Sequence, residues 1–306
     1  MARPDRVALT DLERAERRKQ EQQLTQRAVA QLRCSAGWQR WLTVRARVGL
    51  RRLSIRNQLL VCLQDPTATY VAGFRAWLKL GYCVRRGCTS HIRIWAPCPP
   101  SKKRLQAWRD AGAVAADKPK TYYRLEAVFS QAQVEPLPPP AEPAPLDPPI
   151  AELEGDSLAW ARGPLQQLAG ELGYTVLGRT LAKGHGGSCD PQAKVVTLND
   201  ALAVNAQVDV LCHELAHALV RHDRRDGDPQ LSYAEEELVA ESVAHLAISS
   251  VGLDSSASAV PYLAAWAQSA PADSFERIAE LVDRLARRLE HTLRAEDTRQ
   301  HPAAAA

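Results

Sequence analysis

The sequence predicts a two-domain α+β protein, and three observations lead to this prediction. First, 306 residues are enough for about two domains of ordinary size. Second, residues 1–130 hold 26 Lys and Arg against 9 Asp and Glu, whereas residues 131–306 hold 13 against 26. Third, helical and strand-like patterns occur in both halves. The strong charge asymmetry indicates two modules with different partners.

Composition excludes several classes of protein. Apolar residues make up 45% and charged residues 24%, which is typical of a soluble globular chain and not of a disordered or fibrous one. The sequence has no apolar run near the roughly 18 residues of a spanning helix, and its start lacks a hydrophobic signal core. We therefore expect a cytoplasmic protein without a membrane partner. The seven cysteines form no C-x-x-C pair, so we expect reduced thiols.

The domain boundary is expected at a proline-rich segment. Eight of the fourteen residues from 136 to 149 are proline, which excludes a helix and favours an extended spacer. The sequence thus predicts a basic domain over residues 1–135, a linker over 136–149 and a second domain over 150–300.

The first half predicts helices followed by strands. Residues 10–50 lack proline and predict one or two helices, and further helices are predicted over 55–62 and 73–80. Residues 82–84 and 91–95 predict a β-hairpin whose arginines share one face, and 124–129 predicts another strand. In the second half, helices are predicted over 157–172, 207–221, 233–248 and 273–293, and strands over 174–176 and 194–198.

The predicted helix 207–221 contains the pattern H-E-x-x-H, from His213 to His217. Four residues advance a helix by slightly more than one turn, so His213 and His217 project from one face and can take two positions around a zinc ion. Glu214 lies about 100° round the helix, where it reaches a water at the metal without being a ligand. In a catalytic site, Glu214 would be the general base of peptide hydrolysis.

The third ligand has two candidates. Glu237 lies in the next predicted helix and Glu241 follows one turn later. This arrangement resembles the gluzincin metallopeptidases, and the resemblance implies Glu237 as ligand and Glu241 as the acid that orients a zinc-bound imidazole. Asp223 lies at the offset of the third metzincin ligand, although Val220 stands where metzincins have a glycine that permits a turn.

Other residues near the motif have secondary expectations. Glu235 and Glu236 are expected to be solvated charges in the first turn of their helix. The strand 194–198 is expected to pair at its edge with an extended substrate, and Tyr233 is a candidate oxyanion donor. A zinc site without turnover stays an alternative.

Cations and aromatic rings are interleaved through the first half. Cations release counterions from phosphates and flat rings stack on unpaired bases, so this pairing favours single-stranded nucleic acid. The candidate DNA-binding residues are Arg75, Lys79, Arg85, Arg86, Arg93, Trp95 and Arg124. Phe74 and Trp77 are expected in the core, and a merely solvated basic surface is the alternative.

Longer runs of sequence resemble a known family. IRNQLL, TYVAGFRAWLKLGYCVRRG, IRIWAP and YYRLEAVFSQAQ resemble the N-terminal single-stranded-DNA-binding domain of the ArdC antirestriction proteins. GGSCDPQAKVVTL, VDVLCHELAHALVRHD and YAEEELVAES are similar to the zincin-like metallopeptidase domain that accompanies it, and more distantly to the ImmA and IrrE peptidases. These runs lie within residues 45–135 and 150–250.

The resemblance implies a mobile-element protein that coats single-stranded DNA and carries a zinc peptidase-like domain. His213, Glu214 and His217 match the family motif, and Glu237 matches its E-x-x-A element. Two alternatives remain: a zinc metallopeptidase that cleaves a regulatory protein near DNA, and a non-catalytic adaptor with a structural zinc.

Overall fold

The computed structural model describes residues 11–47, 49–112, 119, 121–139, 143, 146, 151–152, 155–182, 185–254 and 272–300. The chain divides into two compact units. Unit 1 comprises residues 1–30 and 56–144, and unit 2 comprises residues 31–55 and 145–306. The predicted α+β class with two domains is confirmed.

Helices and strands occur in both units. The described helices are α1 (Asp11–Ala30), α2 (Ser35–Ala46), α3 (Ile55–Gln64), α4 (Phe74–Lys79), α5 (Lys102–Asp110), α6 (Arg162–Glu171), α7 (Val204–His222), α8 (Tyr233–Ser249) and α9 (Ala272–Gln300). The described strands are β1 (Val71–Ala72), β2 (Tyr82–Val84), β3 (Ile92–Cys98), β4 (Tyr122–Ser130), β5 (Val134–Pro136), β6 (Ala151–Glu152), β7 (Thr175–Arg179), β8 (Gly187–Asp190), β9 (Val195–Asn199) and β10 (Leu253–Asp254). The predicted helices are confirmed, whereas α5 has no predicted counterpart. None of the described helices combines the length and the apolar character that a bilayer crossing requires.

The extent of the first unit differs from the prediction, because residues 31–55 pack in unit 2. Trp38 of α2 is fully buried, and its indole Nε1 donates a hydrogen bond to a serine hydroxyl of α8 at 3.0 Å. Arg45 is also fully buried and pairs with two carboxylates of α9, those of Asp283 and Glu290. A tryptophan and a paired arginine buried in this way fix the segment to the second unit.

This assignment changes the charge of each unit. Unit 1 holds 20 Lys and Arg against 11 Asp and Glu, a net charge of +9, and unit 2 holds 19 against 24, a net charge of −5. The asymmetry keeps its sign but is smaller than the two sequence halves indicate, since six arginines lie in residues 31–55. The predicted linker 136–149 lies mostly outside the described residues, although Pro136 belongs to β5.

Unit 1 contains two small antiparallel sheets. One has the strand order β1-β4-β3, and in the other β2 pairs with β5. The prediction of a hairpin between residues 82–84 and 91–95 is therefore wrong, because β2 and β3 belong to different sheets. Arg85 and Arg93 accordingly do not share one face of a hairpin.

Two side-chain amides of α3 cover the edge of β3 that such a hairpin would need. Asn57 accepts the N–H of Trp95 at 2.8 Å and donates to its carbonyl at 2.9 Å. Gln64, two turns later, does the same for Arg93 at 3.0 and 2.9 Å. These four hydrogen bonds replace a neighbouring strand.

Unit 2 contains a three-stranded sheet beside α7. Its strand order is β7-β9-β8, with β7 parallel and β8 antiparallel to β9, while β6 and β10 form a separate pair. Because β9 is the central strand, the prediction that residues 194–198 bind a peptide at their edge is wrong. The sheet lies close to α7, since a Cβ atom at Gly187 would be 2.7 Å from Val210 Cγ1.

The core of unit 2 includes the faces where α7, α8 and α9 pack together. Leu211, Leu215 and Leu219 of α7 are fully buried at helical spacing. The start of α8 is fixed by a capping box, in which Ser232 and Glu235 each bond the backbone N–H of the other. The cap sets where the next helix begins and therefore where its acidic residues lie.

Candidate metal centre

Three side chains of α7 and α8 form a group that could hold a metal ion. The Nε2 atoms of His213 and His217 are 3.2 Å apart. The Glu237 carboxylate oxygens lie 3.6 Å from His213 Nε2 and 3.5 Å from His217 Nε2. Two nitrogen ligands about 2.0–2.1 Å from one tetrahedral zinc lie about 3.3 Å apart, so this spacing fits the ion. Two imidazoles and one carboxylate are also a donor set that zinc prefers.

The second nitrogen of each imidazole faces a further carboxylate. Glu236 Oε1 lies 2.9 Å from His217 Nδ1 and also forms an ion pair with Arg221, whose Nη1 is 2.8 Å away. Glu241 Oε1 lies 3.5 Å from His213 Nδ1. The expectation that Glu236 is a solvated charge is therefore wrong. Its side chain is only 18% exposed, and its carboxylate contacts the His217 imidazole.

Burial shifts the protonation of the group. It raises the pKa of Glu214 to about 7, and the carboxylates of Glu237 and Glu241 add to this shift. Burial likewise raises the pKa of Glu241 to about 7, and it lowers that of His213 to about 4. The His213 imidazole is thus neutral at neutral pH, which is the form that binds a metal, and the crowded carboxyls favour a cation.

The alternative ligand lies elsewhere. α7 continues through Val220, as its sequence predicts, and Asp223 at the helix end lies 3.0 Å from His222 Nδ1. In the part of the chain that the structure describes, Asp223 belongs to no group of potential metal ligands. Tyr233 is 79% exposed, and its hydroxyl hydrogen-bonds the Glu237 carboxylate.

Of the two outer strands of this sheet, β8 lies beside the candidate metal centre. Sequence reasoning missed it because its four residues, with two small side chains, carry no alternating apolar pattern. Asp190 closes the β8–β9 hairpin by accepting the N–H groups of Gln192 and Ala193, both at 2.9 Å. The Asp190-Pro191 pair is the turn signal that could have found this hairpin.

The predicted DNA-binding residues are spread over unit 1. Arg75 and Lys79 lie exposed on α4, and Arg85 and Arg86 follow β2 in an exposed turn. In the register of β3 and β4, Trp95 faces Leu125 and Arg124 faces Ala96. Neighbouring residues along a strand alternate between faces, so Arg93 and Trp95 share one face and Arg124 lies on the other, where it pairs with Glu126.

The aromatic residues of unit 1 divide into core and surface. Trp77 is fully buried, as predicted, and its Nε1 donates to the carbonyl of Phe129 at 3.0 Å. Phe74 is 52% exposed, so its predicted place in the core is wrong, because it begins a short helix that buries only Trp77. Tyr122 and Tyr123 are also exposed, at the start of β4.

Two helices beside a sheet bring two histidines and a glutamate together, and this arrangement is similar to that of zincin-like metallopeptidase domains. Residues 167–299 match the sequence profile of the Peptidase_M78 family, described as the IrrE N-terminal-like domain. The expected similarity of the second domain to the IrrE peptidases is thereby confirmed. Among curated proteins, none matches the sequence significantly.

Two crystal structures of the antirestriction protein ArdC from the R388 plasmid are similar to this chain. The Mn(II)-bound structure is 16% identical, covers 78% of this chain and 83% of its own, and has a TM-score of 0.49. The metal-free structure is 18% identical, covers 82% and 85%, and has a TM-score of 0.44. At this level of similarity, function has to be inferred from the residues of the chain itself.

Proposed function

We propose that the protein binds single-stranded DNA through unit 1, as an antirestriction-type protein, and carries a zinc peptidase-like centre in unit 2. The observation that carries this proposal is the separation of two chemistries. Unit 1 has a net charge of +9, whereas unit 2 has a net charge of −5 and contains the donor group. A basic unit attracts a polyanion, and an acidic unit with imidazoles attracts a divalent cation.

Exposed rings among the cations favour a single strand over a duplex. Phe74, Tyr122 and Tyr123 are 52%, 58% and 62% exposed. Every base has a π-face on which such rings can stack, but in a duplex that face is covered by the neighbouring base pair. The exposed arginines and lysines nearby would contact the phosphates.

His213, His217 and Glu237 would hold the zinc ion. When bound, zinc polarises a carbonyl group and lowers the pKa of a water molecule. Glu214, which is 7% exposed, would accept the proton of the attacking water and pass it to the leaving amine. Glu236 and Glu241 would fix the two imidazoles in the tautomer that presents Nε2.

The number of donors favours a peptidase-like centre over a structural zinc. Structural zinc sites have four protein ligands, whereas catalytic sites have three and leave one position open. Within the described residues the group has three members. A buried carboxyl beside that group has no role at a structural site, but it is the general base at a catalytic one.

The edge of β8 is the surface that would hold an extended peptide. It borders the general base, since a Cβ atom at Gly187 would lie 3.4 Å from Glu214 Cγ. An outer strand offers backbone N–H and C=O groups to a peptide that pairs with it. In this proposal β8 takes the role that the sequence assigned to residues 194–198.

The DNA-binding part is tested with the full-length protein and labelled single- and double-stranded oligonucleotides of one sequence. We expect fluorescence anisotropy to give tighter binding to the single strand, with an affinity that falls as salt rises. Arg75→Ala and Arg85→Ala are expected to weaken it. Equal affinity for both forms, or binding that salt does not change, would contradict this part of the proposal.

Glu214→Gln separates the proposal from a peptidase that acts on a regulatory protein. The substitution leaves all three zinc donors in place, so bound zinc is expected to stay stoichiometric by elemental analysis. Under the proposed function, protection of incoming DNA against restriction survives in cells that carry this variant. Loss of protection with zinc still bound would favour the peptidase alternative instead.

A further inference from the structure

Unit 1 has a groove between α1 and the face of the β3–β4 sheet. It encloses about 460 Å³ and is lined by Arg17, Gln20, Gln23 and Arg27 of α1, by Arg93 of β3 and by Leu125 of β4. This helix lies outside residues 45–135, which the family resemblance covers. The wall that α1 supplies is therefore a feature of this chain for which the resemblance gives no role.

Hydrogen bonds hold both walls of the groove. Trp95 lies on the same sheet face as Arg93, and its Nε1 donates to Thr25 Oγ1 of α1 at 3.1 Å. Gln64 binds both backbone groups of Arg93, so the position from which this arginine projects is fixed. Leu24 and Leu125 contribute the apolar part of the lining. The groove is thus built by contacts that do not involve its charged groups.

The lining is basic, with polar amides. The lining contains three guanidinium groups and one carboxylate, for a net charge of +2. The guanidinium groups are those of Arg17, Arg27 and Arg93, and the carboxylate is that of Glu21. Arg17 pairs with Glu21 at 3.0 Å, and both Arg27 and Arg93 are exposed. Two glutamine amides, which both donate and accept hydrogen bonds, complete the lining. Such a lining suits a nucleotide, because the cations can bind phosphates, the amides can bind base edges and the leucines can contact the face of a base.

We propose that this groove binds one or two nucleotides of single-stranded DNA, with Arg27 and Arg93 contacting the phosphates and with Gln20 and Gln23 contacting base edges. The inference rests on the proposed DNA-binding function and gives that function a site. The volume is in the range of small-molecule pockets, so it admits a nucleotide but not a base-paired duplex. A base must be unpaired to enter, which would account for a preference for single strands.

Three charge-matched variants of the full-length protein test the groove. Arg27→Gln and Arg93→Gln each remove one cation from the lining, whereas Arg18→Gln removes one from an exposed position of α1 that does not line it. We expect each groove variant to raise the Kd for a labelled oligothymidylate about tenfold, since a charge-assisted hydrogen bond is lost. A plot of the logarithm of the binding constant against the logarithm of the salt concentration has a negative slope. Each groove variant should make this slope less steep by about 0.7, since one phosphate contact is lost. Arg18→Gln is expected to change the Kd less than about twofold.

The outcomes separate this inference from the proposed function. If Arg18→Gln weakens binding as much as the groove variants, α1 contributes only general charge and the groove is not the site. If the groove variants leave the Kd unchanged while the wild type binds, the inference is also overturned. If the wild type does not bind single strands at all, the proposed function itself fails. Arg27→Lys, which keeps the charge, should recover most of the affinity, and circular dichroism confirms that each variant is folded.

Discussion

Glu236 offers the sharpest test of the proposed zinc site. Its carboxylate accepts from His217 Nδ1 at 2.9 Å and forms an ion pair with Arg221 at 2.8 Å, and its side chain is 18% exposed. Glu236→Gln keeps one carbonyl acceptor but removes the charge. A hydrogen bond to a charged group contributes about 1.5–3 kcal/mol and a neutral one about 0.5–1.5 kcal/mol, so the substitution loses about 1–1.5 kcal/mol.

That loss is expected to weaken zinc binding about tenfold, since about 1.4 kcal/mol corresponds to a factor of ten. Glu236→Ala removes the acceptor entirely and leaves the tautomer of His217 unfixed, so it should weaken binding nearer to a hundredfold. The measurement is a competition between the metal-free protein and a chromophoric zinc chelator, at neutral pH and fixed ionic strength.

Glu235→Gln is the matched control. It changes the charge equally at the adjacent position, but glutamine also serves in a capping box, so α8 should begin unchanged. We expect its zinc affinity to stay within about twofold of the wild type, because Glu235 touches neither histidine in the described contacts. If Glu235→Gln and Glu236→Gln weaken zinc binding equally, the effect is one of net charge and the orienting role of Glu236 is refuted.

Three further predictions concern stability. Arg45→Ala should lower the free energy of unfolding by about 3–5 kcal/mol in urea titrations, because it breaks a fully buried ion pair, whereas Arg40→Ala on the exposed side of α2 should change it little. Gly187→Ala should cost about 1–3 kcal/mol, since its Cβ would lie 2.7 Å from the Thr197 carbonyl oxygen, whereas Gly170→Ala in α6 has open space and should stabilise by about 0.5–1 kcal/mol in the same assay. Burial raises the pKa of Asp209 to about 6, so the folded protein keeps a proton that the unfolded chain releases above about pH 4, and stability falls as pH rises through this window. Because asparagine does not ionise, Asp209→Asn should avoid this loss of stability. The variant should gain up to about 3 kcal/mol in free energy of unfolding at about pH 8 and about half of that at about pH 5, seen as a higher Tm than the wild type.

The helices of unit 2 could be predicted because their pattern is local. Leu211, Leu215 and Leu219 recur at helical spacing and are all fully buried in α7. Once that face is fixed, His213 and His217 have to share another. The local sequence is therefore enough to predict that the two histidines lie together. The predicted helix 207–221 differs from α7 by only a few residues at each end.

The strand pairings could not be predicted, because they depend on distant residues. Nothing near residues 82–95 indicates that β2 pairs with β5, about fifty residues later, or that α3 covers the edge of β3. The assignment of α2 to unit 2 has the same origin. Arg45 finds its partners, Asp283 and Glu290, more than two hundred residues away. Arg45 lies in a basic segment, and the sequence around it does not indicate that it pairs with carboxylates so far along the chain.

The acidic residues at the start of α8 show where a correct motif still leaves roles undecided. Glu235, Glu236 and Glu237 follow one another at about 100° around the helix, so each faces a different neighbour. α8 buries apolar residues on most of its sides, and its pattern therefore does not reveal which face lies against the histidines. Packing against α7 sets that rotation: it turns one carboxylate to the helix cap, the next to His217 Nδ1 and the third toward both Nε2 atoms. Three identical side chains thus come to lie at the helix cap, beside His217 Nδ1 and beside both Nε2 atoms because of the phase of a single helix. This is why their sequence spacing alone could propose a ligand but not the carboxylate that faces His217 Nδ1.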